Sequence, residues 1–188
     1  MAEKRFRQLE LEELDAEQRP LGEAIMKVSS LGLQGPYNPL LRSPVLGQVI
    51  YDLLKYLRWN SSLPMRLTEL AILIIGRQWR SQIEWVAHVP IALKEGLAAE
   101  VIEELRKNKR PSRMQEDEAL VYDFVTELYT KHKVPDELFA RAKTLFSEKQ
   151  IVDLTVIAGT YVTVAALLAM AEEPVPAGKQ PAFGPNDP

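Results

Sequence analysis

The chain has 188 residues, 46% of them hydrophobic and 26% charged, a formal net charge of −3 and no cysteine. That length and composition suit one soluble globular domain whose core needs no cross-links. The charge balance leaves out the basic stripe a nucleic-acid binder uses against phosphates, and the missing cysteines exclude disulfides, thiolate metal sites and thiol catalysis together.

The N-terminus, MAEKRFRQLELEELDAEQ, is charged and lacks the apolar run of a secretory signal, so a cytoplasmic location is expected. Residues 1–14 read as an irregular or extended lead-in. A short helix follows, either capped by Asp15 or started at Pro20, with Leu21, Ile25, Met26 and Val28 carrying its pattern to about Ser29. LGLQGPYNPLL sets Gly32, Gly35, Pro36 and Pro39 within eight residues and predicts a loop, in which Tyr37 and Asn38 either close over a ligand or only help connect helices. Ser43 and Pro44 form an N-cap and first-position pair. From there Val45, Leu46, Val49, Ile50, Leu53, Leu54 and Leu57 recur at helical spacing to about Arg58, and WNSSLP breaks the pattern.

Ser62 and Pro64 open the next helix, which carries LTELAILII with Glu69 as its one ionisable group. Gly76 or the Gln78-Trp79-Arg80 segment ends it, and Ser81 opens another. Between Ile83 and Leu93 the only polar side chains are Glu84 and His88. At about 100° per residue, positions 81, 84 and 88 fall within roughly 60° of one another, so Ser81, Glu84 and His88 share a face. Polar groups in so apolar a setting need partners. One reading is a helix-surface Glu84–His88 pair with Glu69 favoured by the helix dipole; the other is a buried site in which His88 is the candidate partner of the Glu69 carboxylate. The helix start at Ser81 offers free N–H groups to an anion, with Arg77 and Arg80 beside it. Glu69, Glu84 and His88 would also make three metal ligands, but one histidine is too few for such a cluster and no metal is expected.

Pro90 predicts a kink just after His88, and Gly96 closes that helix. An amphipathic helix spans Ala98 to Lys107, NKRPSR is a loop, and a further helix runs from Gln115 to Lys131. His132 falls at its C-terminal end, where a cation suits the dipole. Another helix starts at Pro135-Asp136 and runs to about Phe146. Ser147-Glu148-Lys149-Gln150 is a capping box for a final helix reaching Met170. That helix is long enough to cross a bilayer, but Asp153, three threonines and Tyr161 interrupt it and no basic cluster flanks it, so it reads as a core or subunit-interface helix. EEPVPAGKQPAFGPNDP predicts a tail that lies along the surface or is disordered. With no strand pattern and no repeat, the fold class is all-α.

The spacing of Glu69, Ser81, Glu84 and His88 resembles E-x11-C-x2-C-x3-H, the active-site pattern of alkylhydroperoxidase D-like proteins, with both cysteines replaced. Glu84-Trp85-Val86-Ala87-His88 is similar to the E-W-x-x-H of the carboxymuconolactone decarboxylase branch, as are the flanking R-L-x-E-L-A-I-L and H-x-P-x-A-L-K-x-G-L. The likeness spans roughly residues 40–172. It implies a helical domain over 43–172, an N-terminal extension over 1–42 typical of a longer branch, and a tail over 173–188. It also implies a homo-oligomer of two, three or six subunits that needs no metal or organic cofactor. Peroxidase activity in that superfamily depends on a thiolate, and none is available here. Acid/base chemistry by His88, Glu84 and Glu69 remains, with decarboxylation of a small carboxylated lactone or related cyclic metabolite foremost, and isomerisation or hydrolysis at the same site as variants. Substrate contacts fall to Ser81, Trp85, Tyr37 and Asn38, with Arg66, Arg77 and Arg80 as the carboxylate holders. The contrasting reading is a catalytically silent oligomeric scaffold that kept the fold and lost its redox cysteines.

Overall fold

The computed structural model describes residues 5–29 and 31–184, and within them every regular element is helical. The helices are α1 (Arg19–Met26), α2 (Tyr37–Leu40), α3 (Pro44–Trp59), α4 (Met65–Gln78), α5 (Gln82–Lys94), α6 (Ala99–Arg106), α7 (Glu116–Lys131), α8 (Asp136–Leu145) and α9 (Glu148–Ala171).

Helix α4 is the axis of the molecule. A helix that is apolar on every side satisfies itself only at the centre of a bundle, and every residue from Leu67 to Arg77 is buried. Around it pack α5, α9, α7 and α6. Leu70, Leu73 and Ile75 are wholly enclosed, each contributing about 1.5–3 kcal/mol from removal of its side chain from water. Helix α9 lies along α4 and buries Leu154, Ile157, Ala158, Tyr161, Val164 and Leu168, while Val152, Val156 and Met170 face outward. By length and composition alone α9 could cross a membrane; here its inner face is core. Its start follows the sequence signal, because the Ser147 hydroxyl accepts from the Gln150 backbone N–H and the Gln150 side-chain oxygen accepts from the Ser147 backbone N–H.

The extension before α3 carries a small core of its own, formed by Leu9, Leu14, Leu21, Ile25, Leu33 and Leu41 against Tyr51 of α3. Gly47 allows this approach, since a Cβ there would stand 2.6 Å from Leu21 and 2.8 Å from the Leu40 carbonyl oxygen.

Four expectations change. The lead-in contains a 3-10 turn over Leu11–Glu13. Helix α1 ends at Met26, short of Ser29. The predicted Gly/Pro loop holds the single turn α2: Gly35 reverses the chain at φ +67, and Pro36 and Pro39 sit so early that neither removes a helical hydrogen bond. The tail is docked, not loose, at residues 182–184. The Gln82 side chain accepts from the amides of Ala182 and Phe183 and donates to the Phe183 carbonyl, and Arg106 and Arg80 hold the carbonyls of Ala182 and Gly184. The tail's last four residues, 185–188, lie outside the described part, as do residues 1–4 and Ser30.

Candidate active site

A cavity of about 230 Å³ opens between α3, α5, α9 and the stretch leading into α2. Leu54, Ile83, Ile91, Val164 and Leu168 give it an apolar body, and its polar lining includes Ser29, Tyr37, Tyr51, Lys55, Arg58, Glu84, His88 and Tyr161.

Helix α5 supplies the centre. His88 stands one turn after Glu84, and both are buried because α5 lies on α4. From α4, Glu69 reaches the Nδ1 atom of His88 at 2.7 Å, with both side chains enclosed. Glu69 thus has the partner that a buried carboxylate requires, and the surface-pair reading of the sequence is replaced: His88 pairs with Glu69 across two helices. The bond to Glu69 fixes the ring, and Nε2, without a protein partner among the described residues, is the polar atom His88 offers to the cavity. The Tyr161 ring meets the imidazole edge-on at 5.1 Å. Burial pushes the Tyr161 phenol far above its ordinary range, so it stays neutral.

Glu84 is in the opposite condition. Its carboxyl oxygens and the Ser81 hydroxyl are buried without a hydrogen-bond partner. Burial pushes the Glu84 carboxyl up to about 8, and the Ser81 hydroxyl, close but not aligned for a hydrogen bond, moderates the rise. Glu84 therefore holds its proton at neutral pH.

Other predicted contacts are drawn elsewhere. Tyr37 lines the cavity, but Asn38 turns away, donating to Glu173 at 2.6 Å and accepting from Arg42 at 2.6 Å. The cause is that α2 is helical, so neighbouring side chains diverge by about 100°. Trp85 packs on Phe183 at 5.1 Å, off the cavity. Arg77 donates to the Arg106 carbonyl and stacks over Phe183, Arg80 holds Gly184, and Arg66 pairs with Asp117 and Glu118. None of the three arginines borders the cavity; each meets an acceptor at a helix end or in the tail instead. Ser81 lines a neighbouring cavity of about 220 Å³. Among the described residues no three His, Asp or Glu side chains gather as a metal site would require.

The cations that do border the cavity, Lys55 and Arg58, escaped the sequence reading. With Tyr51 they stand at i, i+4 and i+7 of α3, a one-face pattern present in the sequence but masked by that helix's stronger leucine stripe.

This bundle has the alkylhydroperoxidase AhpD-core fold. It superposes on the crystal structure of the AhpD core of an uncharacterized peroxidase-related protein from Ralstonia eutropha JMP134 with a TM-score of 0.77 at 14% identity, covering 93% of each chain. An uncharacterized peroxidase-related protein from Silicibacter sp. TM1040 aligns at a TM-score of 0.70 and 14% identity over 87% of each chain. No protein-family model and no curated protein matches the sequence.

Proposed function

We propose that the protein is a cofactor-independent lyase that decarboxylates a small carboxylated lactone or related cyclic metabolite, in the manner of the carboxymuconolactone decarboxylases its sequence resembles. One observation carries the reading: a buried carboxyl kept neutral, Glu84, shares a cavity with a histidine locked by a second buried carboxyl, Glu69. A carboxyl kept protonated by burial beside a histidine that another carboxyl orients is the arrangement of a general acid with a positioned partner.

The chemistry balances with one proton. The bond from ring carbon to carboxylate breaks, CO2 departs, and the electron pair moves onto a conjugated carbonyl as an enolate. Glu84 turns from the cavity wall, donates to the enolate oxygen as charge develops, then gives its proton to carbon. Nε2 of His88, held in register by Glu69, is the second polar contact and sets which carbon faces Glu84. Solvent recharges Glu84. The peroxidase-related description of the fold neighbours is not carried over, because a thiolate performs that reaction and the chain has no cysteine. The same reading includes a homo-oligomer, supported by Val45, Leu46 and Val49 exposed along α3 and Val152 and Val156 along α9.

A thermal-shift screen of small lactones, muconate-type diacids and cyclic keto acids against the wild type and His88→Gln tests it. A ligand at a hundredfold its Kd stabilises the wild type by about 2.7 kcal/mol and fails to shift the variant. No shift in the wild type with any of these compounds, or equal shifts in both proteins, refutes the reading.

A further inference from the structure

Ser81 is the N-cap of α5, yet its hydroxyl makes no capping bond and has no other partner. Serine is favoured at N-caps because that bond satisfies a free amide, so a capping serine whose hydroxyl is turned aside and buried needs another reason. Its position supplies one. Ser81 lines the second cavity, Glu84 lines the first, and Ile83 and Leu168 border both. The two groups stand three residues apart on one face of α5. The wall between the cavities thus contains a hydroxyl and a carboxyl, both buried and both unsatisfied.

We propose that Ser81 is the proton-transfer residue through which Glu84 exchanges protons with solvent by way of the second cavity. This rests on the reading of Glu84 as the acid. A substrate in the first cavity blocks that side, so the acid needs a rear route to be recharged. A proton arriving from water in the second cavity binds the Ser81 oxygen as the existing hydroxyl proton passes to the Glu84 carboxylate. Ser81 ends neutral, Glu84 ends as the acid, and one proton has moved. About 220 Å³ is ample for the waters this requires. Ser81 acts through Glu84 and never touches substrate.

Time-resolved infrared spectroscopy after mixing into deuterium oxide tests the route on the full-length protein. The Glu84 carbonyl band, assigned by its loss in Glu84→Gln, shifts as the proton is replaced by a deuteron. Ser81→Ala, and Ala169→Trp at the second cavity, should each slow the shift about a hundredfold, the low end for a positioned proton-transfer group. Ser81→Thr, which keeps the hydroxyl, and Ala87→Leu, which narrows the first cavity, should exchange at the wild-type rate. Wild-type exchange in either Ser81→Ala or Ala169→Trp overturns the proposal, as does slowing in Ala87→Leu. If the band is missing at neutral pH, the acid reading of Glu84 has failed separately, and the same comparison runs at a pH low enough to protonate it. Urea denaturation of each variant verifies that it is folded.

Discussion

Replacing Glu84 by glutamine should change how stability depends on pH more than stability itself. In the unfolded chain the carboxyl titrates near its ordinary 4.5, and in the fold burial raises it to about 8. Between these values the native protein holds a proton that the unfolded chain has lost, so stability falls as pH rises, by about 1.4 kcal/mol per pH unit from this group. The contribution is fully present below the unfolded value and gone above the folded one. Across the window it sums to about 5 kcal/mol, an upper figure because water entry and relaxation soften burial. Glutamine is isosteric and does not titrate; its unpartnered amide costs about 1–3 kcal/mol, equally at every pH. Urea unfolding of the two proteins at each pH gives the difference directly, and contributions from groups other than Glu84 cancel in it to first order. The wild type should lose ground steadily against Glu84→Gln from about pH 5 to pH 8, then level off. A difference that stays flat with pH would refute the claim that this carboxyl is buried neutral.

Removing one partner of the Glu69–His88 pair should cost more than removing both. His88→Ala strands a buried carboxylate and should destabilise by about 3–5 kcal/mol in urea unfolding, whereas His88→Phe combined with Glu69→Leu should recover most of that loss. Phe183→Ala deletes the ring between Trp85 and Arg77; a loss of about 3 kcal/mol and faster proteolysis of the tail are expected, against none if the tail is merely laid on the surface. Gly47→Ala drives a methyl against the Leu40 carbonyl and should cost about 1–3 kcal/mol, with earlier hydrogen exchange in α1 than in α4.

Much of the fold was readable because local rules and global packing agree in it. The Ser147–Gln150 box starts α9, Gly96 at φ +94 closes α5, and the all-round apolar run of α4 leaves it no place but the centre. The buried ionisable trio was readable for the same reason: Glu69, Glu84 and His88 are ionisable groups in segments too apolar to be surface.

The sequence could not decide the pairing. The spacing of Glu84 and His88 allowed a local couple while a buried Glu69 also called for His88 as its partner; the crossing of α4 and α5 decides for Glu69, and Glu84 is left alone and neutral. Nor could it assign the arginines. Arg66, Arg77 and Arg80 are near the trio in sequence, yet Glu118, the Arg106 carbonyl and Gly184, all distant along the chain, take them up; Arg58 and Lys55 reach the cavity because α3 folds across it. Composition and period settle which side chains leave water, since burial is a property of segments. Which buried groups meet is settled by the angles at which helices cross, and those depend on the packing of the whole bundle.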